Sequence, residues 1–563
     1  MNLTGAQILI QSILDMGVDT VFGYPGGAVL NIYDALHEKK EQIRHIVTSH
    51  EQGAAHAADG YARSTGKTGV VIATSGPGAT NLVTGIATAY HDSVPLVAIT
   101  GNVSRDLIGR DSFQEVDIVA ITSPVVKHNF FVQDVEELAS TVRLAFEIAN
   151  SGRKGPVLID IPKDITALQA DYQPLEPYSL RPVPTPSERD YENALKALLV
   201  SKKPLIYCGG GVTFGDCGDE LLAFAQKLHA PICQSMMGLS AFPHNAPLSL
   251  GLVGMHGTPA ANRSVSECDL LIAVGARFSD RVAGNRKLFA HNAKVLHIDL
   301  DPTEISKNVS VHLPLLGDAK ACLMELTKRL PQQQHQDWVH SAIRQKAIDP
   351  LPLAQSSNDE VNPREIIQRL PQALGTDAII ATDVGQHQML VAQYYPFTQP
   401  RTFISSCGLG TMGYGMGAAN GAAIGNPGKK VALITGDGSF HMNLSELAVA
   451  VTNKLPVLVL VMNNQVLGMV HQWQNLFYGG RYSNTELGRK TDFVKLAQAF
   501  GAKGLRINRP EDISPVLEEA AQTQGPCVVD CVITAKERVF PIIPPGGRET
   551  DMIYTEKYME EVR

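Results

Sequence analysis

Two short motifs, Ile434-Thr435-Gly436-Asp437-Gly438-Ser439 and Val461-Met462-Asn463-Asn464, put an acid and an amide at the ends of two apolar runs. Residues 430–435 have strand character, 439–451 form a good helix and 456–462 are a second apolar run, which together read as one βαβ unit. The carboxyl ends of both strands in such a unit open onto one crevice, so Asp437 and Asn464 are expected side by side above the sheet. One carboxylate, one amide oxygen and a backbone carbonyl suit a hard cation and leave Mg²⁺ open positions for two diphosphate oxygens. Gly436 and Gly438 let the backbone approach the phosphates. Asp-Gly alone is common turn chemistry; the Asn pair about one βαβ length downstream is what turns it into a metal-diphosphate cradle.

That spacing resembles the signature of enzymes that use thiamine diphosphate. Their chemistry asks for one more protein group, a carboxyl hydrogen-bonded at N1′ of the cofactor's pyrimidine, which promotes loss of the thiazolium C2 proton to the cofactor's own 4′-amino group. A Glu whose proton affinity is raised in an apolar pocket suits the task. Glu51 is the candidate: a strand-like run over 43–49 leads into His50-Glu51-Gln52, and Gly53-Ala54-Ala55-His56-Ala57-Ala58 then begins a small-residue helix suited to close packing. The ordinary alternative is an exposed Glu that starts a helix and is stabilised by its dipole.

The surrounding chain must supply the elements that hold these groups. Its 563 residues are enough for three or four domains. A net charge of -8 without a basic stripe argues against nucleic acid or an anionic membrane as the main partner. No apolar run approaches membrane-spanning length, and residues 5–16 form an amphipathic segment, so neither a membrane span nor a signal peptide is expected and the cytoplasm is the default location. The eight cysteines include no Cys-x-x-Cys pair and are expected reduced and mostly buried. The chain also partly repeats itself. Val71-Ile72-Ala73-Thr74-Ser75-Gly76-Pro77-Gly78 and Pro95-Leu96-Val97-Ala98-Ile99-Thr100-Gly101-Asn102 match the cradle's two strands, with Pro77 opposite Asp437 and Asn102 opposite Asn463. Two related α/β domains are expected, of which only the second can hold the metal. Between them, 173–190, with five prolines, and 331–363, rich in Gln, Ser and Asn, read as linkers. The bracketed segment alternates strand and helix, with Gly209-Gly210-Gly211, Gly275-Ala276-Arg277 and Asp299 at strand ends, a nucleotide-binding pattern in outline.

Gly23-Tyr24-Pro25-Gly26-Gly27, His50-Glu51-Gln52, Ser75-Gly76-Pro77-Gly78, Phe113-Gln114-Glu115, Gly254-Met255-His256-Gly257, Gly385-Gln386-His387 and the cradle occur in the order of one known family. The chain resembles the catalytic subunit of acetohydroxyacid synthase over nearly its whole length. The resemblance implies three doubly wound α/β domains of the pyruvate oxidase-like type: a pyrimidine-binding domain over 1–170, a central FAD-binding domain over 190–332, a diphosphate- and Mg²⁺-binding domain over 362–540, and a C-terminal arm over 541–563. It implies a transferase that joins two pyruvates into 2-acetolactate and CO2, or pyruvate and 2-ketobutyrate into 2-aceto-2-hydroxybutyrate, in branched-chain amino-acid biosynthesis. By the same resemblance the active site lies between two chains of a homodimer or dimer of dimers, and a small regulatory subunit is an expected partner.

Carried over residue by residue, the resemblance makes Glu51 the pyrimidine partner and Asp437, Asn464 and the backbone of Val466 the Mg²⁺ ligands. Gly385, Gln386, His387, Gly410, Gly436, Gly438, Ser439, Leu467, Gly468 and Met469 resemble the thiamine diphosphate contacts, and Met412 the residue that wedges the cofactor into its bent form. Gly27, Phe113, Gln114 and Lys163 resemble a substrate-side wall given by the partner chain; alternatively Phe113 is core and Lys163 surface. Arg281 resembles the fork that holds the second ketoacid's carboxylate and Trp473 the contact to the extra methyl of 2-ketobutyrate, which predicts that 2-ketobutyrate outcompetes pyruvate as acceptor. Alternatively Arg281 only pairs with a carboxylate and Trp473 is core. FAD, in a non-redox role, is implied at Arg153, Gly209, Gly210, Ser235, Met236, Met255, His256, Gly275, Arg277, Asp280, Arg281, Asp299 and Asp318. The sequence departs from the family at Ser279, where an Asp is usual.

Overall fold

The computed structural model describes residues 1–352, 355–357, 360–548 and 551–555. Apolar runs too continuous for one-sided strands are buried on both faces, as in parallel sheets covered by helices, and they build three six-stranded sheets. A short antiparallel pair, β1 (Asn2–Thr4) with β8 (Gln169–Asp171), ties together the ends of the first unit. That unit holds β2 (Thr20–Gly23), β3 (Arg44–Val47), β4 (Gly69–Ala73), β5 (Leu96–Asn102), β6 (His128–Phe131) and β7 (Pro156–Pro162) in the order β3-β2-β4-β5-β7-β6. The second holds β9 (Pro204–Cys208), β10 (Ile232–Gln234), β11 (Ser249–Leu252), β12 (Leu270–Val274), β13 (Lys294–Asp299) and β14 (Leu313–Leu316) in the order β11-β10-β9-β12-β13-β14. The third holds β15 (Ile379–Thr382), β16 (Phe403–Ile404), β17 (Val431–Gly436), β18 (Val457–Asn463), β19 (Lys503–Ile507) and β20 (Cys527–Val532) in the order β16-β15-β17-β18-β20-β19. The fold is α/β, and the three six-stranded sheets are parallel throughout.

Counted from its own first strand, the third sheet has the same order as the first, so the internal repeat extends to the topology. It extends to a buried polar pair as well. Asn102 donates to Asp160 at 2.6 Å across β5 and β7, and Asn463 donates to Asp530 at 2.9 Å across β18 and β20. The middle sheet instead has the order of dinucleotide-binding folds, whose ligand crevice opens where the strand order reverses, here between β9 and β12.

The helices Glu51–Thr65 and Gly415–Gly425 join the first and third units. Their small residues let backbones touch: a Cβ on Gly60 would lie 2.2 Å from the Ala418 carbonyl oxygen, and one on Gly421 1.8 Å from that of Ala57. The small-residue run from Gly53 thus packs closely, as its composition predicts.

Two expectations are corrected. The helix over 439–451 is broken into Asp437–Asn443, a 3₁₀ turn Leu444–Glu446 and Leu447–Thr452. The linker over 331–363 contains the helix Gln336–Ile348, whose buried Trp338 donates to the Pro204 carbonyl at the start of β9; polar composition hid its apolar face. The cysteines are free, and all but the half-buried Cys407 are buried.

Glu446, at the break, is buried against Gly53 and accepts from the backbone N–H of Ser49 at 3.2 Å. Burial pushes its carboxyl up to about 7, against backbone donors that pull it down, and the nearby charge of Glu51 adds to the rise. A carboxyl that holds its proton more tightly when folded stabilises the fold most below its unfolded pKa near 4.5, and that contribution is lost as pH rises through 7. Glu446→Gln cannot titrate, so the stability of the wild-type chain relative to this variant is expected to fall between pH 5 and 8, by on the order of 3 kcal/mol in denaturant titrations.

Candidate active site

The third sheet places the cradle as its strand pattern dictates. β17 ends at Gly436 and β18 at Asn463, in parallel register, so Asp437 and Asn464 leave neighbouring strands on the same edge. The loop after β15 ends at Gly385, the N-cap of the helix that opens with Gln386 and His387, and joins them at the point where the strand order reverses. Three helices start here, Gln386–Tyr394, Asp437–Asn443 and Gly468–Phe477, and their first residues line one small cavity of about 80 Å³. Helix N-termini carry partial positive charge and free N–H groups, so three of them converging make an anion site. Gly385, Gly436, Gly438, Ser439, Leu467, Met469, Asn464, Val466 and Met412 are among the walls.

Two atoms in this cavity lack partners in the chain. Asp437 is buried with Oδ1 unbonded, and burial pushes its carboxyl up to about 6. His387 is buried with Nε2 unbonded, and burial pushes its imidazole down to about 3, so it is a neutral ring. Buried polar groups are normally satisfied; an unpaired acid beside converging N–H groups fits a cation bridged to an anion. Gln465, at φ 60°, is a non-glycine residue in the left-handed region, which curls the chain so that Asn464 Oδ1 accepts from the N–H of Val466 at 3.2 Å. Among the described residues no cluster of three or more His, Cys, Asp or Glu forms a ligand cage; Asp437, Asn464 and the Val466 backbone line the cradle and could offer a cation a mixed oxygen set. Gln386 is partly committed elsewhere, donating to Gln472 and to the Glu537 carbonyl.

A second cavity, of about 880 Å³, runs from the middle sheet to the cradle, and the two share Val384, Gly385, Met412, Met469 and Val470 as walls. Arg153, Gly210, Ser235, Met236, Met255, His256 and Gly275 line it, as do Arg277, Asp280, Arg281, Asp299, Asp318, Gly410 and Trp473. Gly209 is not among its walls: it packs against the Gly275 carbonyl, where a Cβ would lie 2.1 Å from the oxygen, so its place is to let β9 and β12 meet closely. Arg153 also pairs with Glu304 at 2.7 Å and Asp301 at 3.3 Å. Sequence reasoning missed several walls. Leu180, Arg181 and Val183 belong to the proline-rich linker, Tyr207 and Lys154 were not singled out, and Gly211 was named only as part of the glycine triplet. The third glycine of Gly209-Gly210-Gly211 was the one available signal. Ser279, the departure from the family pattern, also lines the cavity.

Arg281 and Trp473, distant in sequence, meet in the wall of the larger cavity, with the guanidinium carbon 5.8 Å from the ring centroid. Arg281 remains mostly exposed, with Asp280 3.9 Å away. The described part of the C-terminal arm packs there too: Ile543 donates to the Met255 carbonyl, and Ile542 and Ile553 cluster with Leu476. Residues 549, 550 and 556–563 of that arm lie outside the described residues.

Glu51 is the first residue of its helix and half-buried; one carboxylate oxygen accepts from Asn81 at 2.9 Å and the other faces Gly78. It lines neither cavity, and neither do Gly27, Phe113, Gln114 or Lys163. Phe113 is 87% exposed, which rules out the core alternative within this chain. Gln114 has φ 61° and packs on Gly76, while Gly27 and Lys163 are exposed at the carboxyl edge of the first sheet.

Comparison with known proteins gives the class. Residues 3–121 match the family described as thiamine pyrophosphate enzyme, N-terminal TPP binding domain, 191–326 the central domain and 383–531 the C-terminal TPP binding domain. The chain is 45% identical to the acetolactate synthase large subunit of Haemophilus influenzae, covering 99% of both chains. It is 44% identical to the acetolactate synthase isozyme 3 large subunit of Escherichia coli, covering 98% of both, and 44% identical to the large subunit of Corynebacterium glutamicum, covering 98% of this chain and 90% of the relative. The chain is a thiamine pyrophosphate enzyme by its domains. Within that class it belongs to the acetolactate synthase large-subunit family.

Asp437→Asn removes an unpaired buried charge. It is expected to raise the melting temperature of the cofactor-free chain slightly and to weaken binding of Mg²⁺ with thiamine diphosphate at least tenfold, read by melting curves with and without both.

Proposed function

We propose that this chain catalyses acetohydroxyacid synthesis, joining a two-carbon unit from pyruvate to a second pyruvate or to 2-ketobutyrate, with release of CO2. The observation that carries the reading is that the cavity holding the Arg281–Trp473 pair shares walls with the cradle, Met469 and Val470 lying on the same helix as Trp473. When bound, thiamine diphosphate supplies a nucleophilic carbon and an electron sink for decarboxylation. Asp437, Asn464 and the Val466 carbonyl would hold Mg²⁺, and the helix N-termini at Gln386, Asp437 and Gly468 would hold the diphosphate. His387, a neutral donor, would add a hydrogen bond. Glu51 would hold a proton at N1′ of the pyrimidine.

Arg281 would clamp the carboxylate of the acceptor ketoacid, and the face of Trp473 would pack on its side chain. The larger cavity would take FAD in a structural role, with the glycines after β9 and β12 at the reversal of strand order. Glu51, Gly27, Phe113, Gln114 and Lys163 lie outside this chain's own cavities, which supports a site completed by a second copy, as a homodimer or dimer of dimers. The relatives' name, large subunit, supports a small regulatory partner. No helix among the described residues is long and apolar enough to cross a membrane, and we place the enzyme in the cytoplasm. The working domain bounds are 1–170, 190–332 and 362–540.

Purified protein given pyruvate, Mg²⁺ and thiamine diphosphate is expected to form acetolactate only when FAD is added, with the flavin absorbance unchanged. Acetate accompanied by flavin bleaching would instead make it an oxidase. Glu51→Gln is expected to lower turnover by a factor of about 10² to 10⁴. In a competition assay 2-ketobutyrate should outcompete pyruvate as acceptor, and Trp473→Leu should reduce that preference about tenfold or more; products in proportion to supply in the wild type would remove Trp473 from the specificity site.

A further inference from the structure

The segment 406–412 carries Gly410 and Met412 between the two cavities, yet it has no regular secondary structure to hold it. Gln388 of its own unit donates to the Ser406 carbonyl at 3.2 Å, and its other restraints come from one face of another unit's helix, Val83–Asp92. Asp92 is buried and accepts from the backbone N–H of Cys407 at 2.9 Å and of Gly408 at 2.8 Å. One turn earlier, on the same face, the Thr88 hydroxyl hydrogen-bonds that of Thr411 at 2.8 Å. The segment closes on itself between these two points, Thr411 N–H donating to Ser406 Oγ at 3.0 Å. Gly408 has no room for a side chain: a Cβ would lie 2.8 Å from Asp92 Oδ1 and 3.0 Å from the His91 side chain.

The placement of Asp92 is costly by itself. A carboxylate as the last residue of a helix faces the negative end of the helix dipole, and a buried charge needs partners. It finds them outside its own helix. Arg63 donates at 2.9 Å and is itself held by Asp59 at 2.6 Å, Arg277 from the middle unit stands 3.8 Å away while donating to the His91 carbonyl, and the two N–H groups of 407 and 408 complete the set. An unfavourable end-of-helix charge that spends two of its bonds on an irregular segment is a device for holding that segment.

We propose that Thr88 and Asp92 are positioning residues that set the backbone of 406–412, and through it Met412, at the junction of the two cavities. What Met412 faces there rests on the functional reading above; the restraint itself is a property of the chain alone. Thr88 lines neither cavity, and Asp92 is a wall of the larger cavity but not of the cradle, so their effect on thiamine diphosphate passes through the backbone of 407–411.

The test is hydrogen–deuterium exchange of the cofactor-free protein, followed by thiamine diphosphate titration. In Asp92→Asn, exchange at 407–411 is expected to rise at least tenfold while β12 and β13 keep wild-type protection, and half-saturation by thiamine diphosphate should move up about fivefold or more. Thr88→Val, nearly isosteric, should give the same pattern more weakly, and it decides the matter if Asp92→Asn does not fold. Asp160→Asn removes a buried carboxylate from the same unit far from this segment, and serves as the control for general loosening. Wild-type exchange at 407–411 in both variants, or an equal rise in Asp160→Asn, would overturn the proposal. Absence of acetolactate in the wild type would sink the functional reading alone, because the exchange pattern does not depend on activity.

Discussion

The contact between the helices Glu51–Thr65 and Gly415–Gly425 is the constraint on which the rest of the structure depends. Gly60, Gly417 and Gly421 bring the two backbones together with no side chain between them. That closeness fixes the first sheet against the third, because a packed interface of this kind has no slack to take up. It also sets where Glu51, at the start of one helix, stands relative to the turn bearing Glu446. Arg63, near the other end of the same helix, anchors a buried network in which Tyr414 donates to Asp59 at 2.5 Å and Asp92 receives the chain at 407 and 408. One helix thus connects Glu51, the seam between the first and third units and the segment that walls the two cavities.

The site itself accepts local instability. Asp437 and His387 keep unbonded polar atoms in a buried cavity, and Gln465 holds a backbone conformation that side chains disfavour. Each departs from what would stabilise the cofactor-free chain, and each lies where a bound cation and anion would relieve it. Stability is supplied by the parallel sheets beneath, whose central strands β4, β5, β17 and β18 are buried almost throughout. Such a division lets loops at strand ends carry chemistry on a rigid base.

Much of this was legible in the residues before any coordinates. Apolar runs mark β17 and β18 within one position, because buried parallel strands are unbroken apolar runs, and the glycines at 209 and 275 mark where β9 and β12 end. The internal repeat predicted two sheets of one topology, and the Asn102–Asp160 and Asn463–Asp530 pairs extend it to single bonds. The helix Gln336–Ile348 was not legible, since its apolar face is sparse and its flanks are polar. The linker residues Leu180, Arg181 and Val183 as cavity walls were not legible either, because proline-rich composition says that a segment is extended and not what it covers.

The sequence by itself determined the chemistry on offer: an acid and an amide at the ends of adjacent strands, glycines where backbone must approach a ligand, and a carboxyl at the head of a small-residue helix. These depend on near neighbours and on strand and helix periods, which are local. Tertiary structure alone decided the rest. It brought Arg281 to Trp473, set Asp92 on the 406–412 segment, assigned Gly209 to packing and left Glu51 outside this chain's own cavities. Those outcomes depend on how three sheets dock, and docking is governed by side-chain volume and shape across surfaces far apart in the chain, which no local pattern records.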